Sequence, residues 1–164
     1  MDAMISIPSS HSSPLSGSPR PLPESNPELG EMPPASSPRF ALSTKPALVP
    51  HGGHTDHLGA SVTTEGVNFA VYSESASAIW VCLFDEQDKE IDRFELDVHQ
   101  DNVHAGLIAN VGPGARYGLR ADGPYDPDQG YFFDPNKLLV DPYARHLDRV
   151  FVRSPRLRLA REDA

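Results

Sequence analysis

The sequence predicts an all-β protein: an immunoglobulin-like β-sandwich carrying a disordered Pro/Ser-rich N-terminal tail. Three observations predict it. Short apolar runs recur about every ten residues from residue 66 onward, separated by turn signals such as Gly112-Pro113-Gly114. No 3.6-residue period joins them, so no helix has an apolar stripe to bury. The six runs fit within roughly ninety residues, an ordinary size for such a sandwich.

The chain has 164 residues, enough for one ordinary domain. Residues 1–50 hold eleven of the seventeen prolines and eleven serines. Such a stretch has few ladder donors and few core groups, so ordering it costs more than it returns. A tail is the expectation, with Pro19-Arg20-Pro21-Leu22-Pro23 as a polyproline II alternative. Residues 51–146 then form the sandwich, and residues 147–164 a basic linker remnant.

Within the sandwich, Val67–Tyr72 reads as a strand with Val67, Phe69 and Val71 on one face. Ala78–Phe84 is apolar on both faces: Ile79, Val81 and Leu83 on one, Trp80, Cys82 and Phe84 on the other. Such a strand lies centrally or under another element. Asp85–Lys89 is a charged turn, and Asp92–Leu96 completes a hairpin with Phe94 and Leu96 inward. Val103–Ile108 is the fourth candidate. Arg116–Ala121 follows, with Tyr117, Leu119 and Ala121 on one side. Lys137–Val140 is the last. Gly123–Asp128 contains two prolines and capping carboxylates, so it reads as a rigid loop. Asp141-Pro142-Tyr143-Ala144 reads as a stiff exit. Beyond it six arginines, from Arg145 to Arg161, suggest either a polyanion patch or a solvated linker.

Charge and cysteine content narrow the function. A formal net charge of −9 disfavours nucleic acid, whose phosphates it repels. Cys82 is the single cysteine, so no internal disulfide forms, which fits a cytoplasmic location. Met1-Asp2-Ala3-Met4 lacks the basic start of a signal peptide, and no run approaches eighteen apolar residues, so no membrane span is expected. His51, His54 and His57 stand at three-residue intervals with Asp56 between, types that zinc accepts. They fall at a junction read as flexible, without a supporting shell, so no metal site is assigned there. No cofactor is implied. His104 is expected to be a packed or rim histidine, and Cys82 a buried, inert thiol.

The strings GVNFAVYSES (66–75), VCLFDE (81–86) and YGLRADGPYDPDQGYFFDPNKLLVDPYAR (117–145) resemble the N-terminal domain of bacterial glycogen-debranching enzymes. These are isoamylase-type members of the α-amylase superfamily, and the domain is classed with carbohydrate-binding module family forty-eight. His57-Leu58-Gly59-Ala60 fits the family's proline-leucine-glycine-alanine string. Two departures stand out. Val103 occupies the place of a tryptophan ahead of His104-Ala105-Gly106, and Phe132-Phe133-Asp134-Pro135 replaces arginine-phenylalanine-asparagine-proline. Both put carbohydrate or domain contacts there in doubt.

The resemblance implies an accessory module that orients α-glucan or braces a catalytic barrel, in an enzyme hydrolysing α-1,6 branch linkages of glycogen. The barrel itself needs at least about 200 residues, so the chain alone is expected not to be an enzyme, carried instead as a truncated or split chain. A stand-alone α-glucan-binding protein and a non-functional remnant are the alternatives. Sugar recognition needs aromatic faces and nearby polar groups. Tyr72, Trp80, Tyr125 and Tyr131 are the candidates for it, and Phe132, Phe133, Asp141 and Tyr143 for a domain interface. Three fates stay open for Tyr125, Tyr131, Phe132 and Phe133: packing beneath the sandwich, docking on another domain, or stacking on sugar.

Overall fold

A computed structural model describes residues 5–7 and 45–149. Two antiparallel sheets carry the described residues. One has the order β1 (Ile5–Ser6), β9 (Arg116–Asp122), β5 (Ala78–Phe84), β6 (Glu90–Glu95). The other has the order β2 (Ala47–Val49), β8 (Val103–Ala109), β4 (Gly66–Tyr72), β3 (Gly59–Val62), with β7 (Val98–Gln100) also pairing β8. A two-stranded ribbon, β10 (Tyr125–Asp126) and β11 (Tyr131–Phe132), projects after β9. The all-β sandwich is therefore observed.

Alternation explains the core. β4 contributes Val67, Phe69 and Val71, β5 contributes Ile79, Val81 and Leu83, and β9 contributes Tyr117, Leu119 and Ala121, all buried in one cluster. Phe69 and Tyr117 meet between the sheets edge to face, with ring centroids 5.0 Å apart. Burying such side chains contributes roughly 1.5–3 kcal/mol each, which is what makes two thin sheets stable. Cys82 lies fully buried on the opposite side of β5, where burial above all pushes its thiol pKa up. The burial, though not the reactivity, is the part of the expectation seen here.

Four differences from the sequence reading have physical causes. Lys137–Val140 is not a strand but a single bridge, Leu119↔Leu139, because the turn at Asp134 precedes it and Asp141 turns the chain again. The Pro/Ser-rich span is not uniform: Ile5–Ser6 and Ala47–Val49 pair with β9 and β8, since each supplies apolar side chains to a waiting edge. Residues 1–4 and 8–44 of that span fall outside the described residues. The junction at His51–His57 is not loose. The His51 N–H donates to Asp97 Oδ2 (2.7 Å), the His54 N–H to Asn68 Oδ1 (2.8 Å), and Asn68 Nδ2 donates back to the His54 carbonyl (2.9 Å). Gly53 allows this strap to lie flat, since a Cβ there would come within 2.6 Å of the Gly106 nitrogen.

The fourth concerns the start of the basic segment. Leu147 bridges to Ile5, and Arg149 forks onto both Asp88 oxygens at 2.7 and 2.8 Å. Arg116 reaches both Asp88 and Asp148. Two arginines and two aspartates thus tie residues 148–149 to the β5–β6 turn, although Leu147 stays exposed. Residues 150–164 lie outside the described residues.

Candidate functional site

The hairpin after β9 is built by its own turn chemistry. Pro127 starts a 3₁₀ turn over Pro127–Gln129, capped by Asp126, whose carboxylate accepts from the Gln129 N–H (3.4 Å) and side chain (2.7 Å). Gly130 closes the turn at φ 85°, a left-handed conformation that costs glycine little. Pro127 and Asp126, both singled out in the sequence, build this turn. It fixes the register Tyr125↔Phe132 and Asp126↔Tyr131. Directly opposed residues share a face, so Phe132 lies with Tyr125 and Tyr131 turns the other way.

Beside this hairpin, an open groove of 220 Å³ runs along the end of β9. Phe132, Phe133, Asp134, Lys137 and Leu139 line it, with Ala121 and Gly130. Phe132 is 61% exposed, the most open large apolar side chain among the described residues, and Leu139 is exposed beside it. Phe133 turns inward against the core and packs where Gly123 leaves no side chain. Lys137 Nζ stands 3.6 Å from Asp134 Oδ2, placing a cation and an anion in an otherwise apolar wall. The groove can hold a flat, mostly apolar ring face and offer polar contacts at its rim.

Arg120 anchors the wall from behind. Its Nη1 donates to the carbonyls of Pro135 (3.1 Å) and Asn136 (2.7 Å), and its Nη2 to Glu90 Oε2 (3.0 Å). Glu90 also accepts from Arg93 Nε at 2.7 Å. Burial would raise the Glu90 pKa, but the bonds from Arg93 and Arg120 outweigh it and hold the carboxyl below its usual range. The β6 carboxylate is a strut here.

The sequence candidates divide. Tyr72 is 53% exposed on β4, out of phase with the core positions, as its alternation indicates. Trp80 is half-buried on the outer side of β5, between Glu95 and Arg120 of the neighbouring strands. These two residues belong to different sheets and face away from each other. Tyr125 and Tyr131 sit on the hairpin but do not line the groove. Phe132, grouped with the interface residues, does line it. Tyr143 is exposed near the chain exit. Asp141, also grouped with the interface residues, is buried at 2% exposure. Its Oδ2 accepts from the Tyr117 hydroxyl (2.8 Å) and its Oδ1 from the Tyr143 N–H (2.8 Å), so it is a core strut. Lys137 and Leu139 were not singled out, because neither residue type signals binding on its own.

His104 is buried, and its ring stacks on His99 with centroids 4.2 Å apart. Among the described residues, no group of three or more His, Cys, Asp or Glu could hold a metal ion. No described helix is long and apolar enough to cross a membrane, which says nothing of a β-barrel.

Comparison with known proteins adds a lineage. Residues 57–144 match the family described as Carbohydrate-binding module 48 (Isoamylase N-terminal domain). The glycogen debranching enzyme of Pectobacterium carotovorum is 46% identical over 96 residues, covering 58% of this chain and 14% of the relative. That of Klebsiella pneumoniae is 47% identical over 91 residues, covering 56% and 14%. The Yersinia enterocolitica enzyme is 40% identical over 105 residues, covering 64% and 16%. The chain thus spans about one seventh of the length of the relatives it matches.

Proposed function

The chain belongs to the Carbohydrate-binding module 48 family, and from that membership we propose that it is a non-catalytic module that holds α-glucan for a glycogen-debranching hydrolase. The parent reaction would be hydrolysis of α-1,6 branch linkages, carried by a catalytic barrel outside the sandwich. One observation carries the reading: the Phe132 face lies open beside the Lys137–Asp134 pair. Pyranose rings bind by laying C–H faces on aromatic side chains while polar groups take the hydroxyls. The groove is smaller than the ~300–1,000 Å³ of enclosed ligand sites, as suits a surface platform for part of a polymer.

The carboxylates support a non-catalytic role. A glycosidase acid needs a raised pKa. The described carboxyl groups with a clear shift all move the other way. Asp88 is drawn down to about 2 by hydrogen bonds from Arg149 and then Arg116. Asp148 is raised by burial but lowered further by the same two arginines. Glu90 behaves alike. Carboxyls so held are poor proton donors near neutral pH.

A second reading uses the same surface. Exposed apolar side chains on a rim also mark protein interfaces, so the catalytic barrel could dock at Phe132 and Leu139. Electrophoresis through gels containing glycogen separates the two. Retarded migration that Phe132→Ala abolishes supports glucan holding. Unretarded migration, with Phe132-dependent association of a separately expressed debranching barrel in light scattering, supports docking. Neither result would end both readings.

A further inference from the structure

Ile5 and Ile7 are among the most deeply buried side chains, 1% and 2% exposed, although β1 spans only Ile5–Ser6. β1 is bonded on both sides: to β9 through Ile5↔Tyr117 and Ser6↔Arg116, and to the far end of the chain through the Ile5↔Leu147 bridge. Backbone bonds run on beyond it. The Ile7 N–H donates to the Ala115 carbonyl (3.2 Å), and the Gly114 N–H donates to the Ile7 carbonyl (2.8 Å). The two-residue period sends Ile5 and Ile7 inward and Ser6 the other way.

This segment is covalently remote from the sandwich it completes. Thirty-seven residues, 8–44, separate Ile7 from Lys45. Such a stretch can reach at most about 120–130 Å, well beyond the ~13 Å radius of gyration of a hundred-residue domain. β1 also lies outside the family match, which begins at residue 57. Without β1, the N–H and C=O groups of β9 near Arg116 and Tyr117 would form an open edge above an apolar trough, the arrangement that binds extended peptides.

We infer that the β9 edge from Gly114 to Tyr117, walled by Leu147, is a strand-acceptor site for the chain's own Ile5-Ser6-Ile7 segment, which it holds reversibly and takes equally when supplied in trans. Backbone pairing gives the site its affinity. The two inward positions give it selectivity for apolar residues spaced by two. A second copy of the chain carries the same ligand, so the edge is a point of strand exchange. Covalent attachment makes binding of the cis segment intramolecular, which protects the edge at ordinary protein concentrations.

The test uses the full chain and a fluorescent peptide of residues 1–8. An Ile5→Asp/Ile7→Asp double variant should bind the peptide saturably and about tenfold or more tighter than the wild type, whose own strand competes. A peptide carrying the same two aspartates should not bind. Because the double variant can fail to fold, a second arm uses the wild-type chain with a protease site inserted after Gly30. After cutting, the N-terminal fragment should co-elute with the sandwich until excess peptide displaces it. Absence of peptide binding by a folded double variant would overturn the inference. So would a cut fragment that separates at once and leaves the melting temperature unchanged. Glucan enters neither arm, so failure here leaves the proposed function standing.

Discussion

The Tyr117 hydroxyl donates to Asp141 Oδ2 at 2.8 Å inside the sandwich, tying the start of β9 to the turn after Val140. The same tyrosine ring meets Phe69 edge to face, so one side chain links both sheets and the C-terminal turn. Removing one partner strands the other without water. Asp141→Ala should therefore cost about 1–3 kcal/mol, read as a lower midpoint in urea unfolding. Burial first, and the Asp141 charge second, raise the Tyr117 pKa above its ordinary value of 10.0. The folded protein then keeps a proton that the unfolded chain loses, so stability is full below pH 10 and declines above it. Tyr117→Phe should flatten that alkaline decline.

The Arg116–Asp88–Arg149–Asp148 clamp titrates at the other end of the scale. Asp88 has a folded pKa of about 2 against an ordinary 3.8. A depressed carboxyl contributes stability that is present above pH 3.8 and is lost as pH falls toward 2. Arg149→Ala should shift the acid-unfolding midpoint upward. Added salt should narrow the gap between variant and wild type, since these side chains are partly exposed. A midpoint independent of Arg149 would remove the clamp from the stability account.

His104 acts between these limits. Burial lowers its pKa first and the adjoining His99 second, while a backbone bond at Ala76 opposes them. The fold thus favours neutral imidazole, and stability present above pH 6.5 should be lost as pH falls through the folded value. Thermal melts from pH 8 to pH 5 should show this slope in wild type. His104→Phe should reduce it.

The strap at His51–His57 rests on one absent side chain. Gly53→Ala would drive a Cβ into the Ala105–Gly106 backbone, which cannot move like a side chain. Overpacking of this kind costs roughly 1–3 kcal/mol. Circular dichroism melts should show it, while Gly112→Ala, in open space, should melt near wild type.

The sequence made β4, β5 and β9 legible because bulky apolar residues alternate along them. β3 escaped notice because Gly59-Ala60-Ser61-Val62 has one bulky residue, and β7 because Val98-His99-Gln100 is largely polar. β1 was masked by the prolines around it. The aromatic cluster could be seen, but not which ring would face the groove. That depends on the Tyr125↔Phe132 register set by Gly130, and spacing alone does not reveal it. The Asp88–Arg149 pair joins residues 61 apart, with no local pattern to announce it.

An NMR titration with a linear maltooligosaccharide addresses the groove itself. Saturable amide shifts centred on Phe132, Lys137 and Leu139, lost in Phe132→Ala while Tyr72→Ala retains them, are the predicted result. Unmoved amides along that wall at millimolar sugar, or shifts confined to the Tyr72 side of the other sheet, would contradict the account.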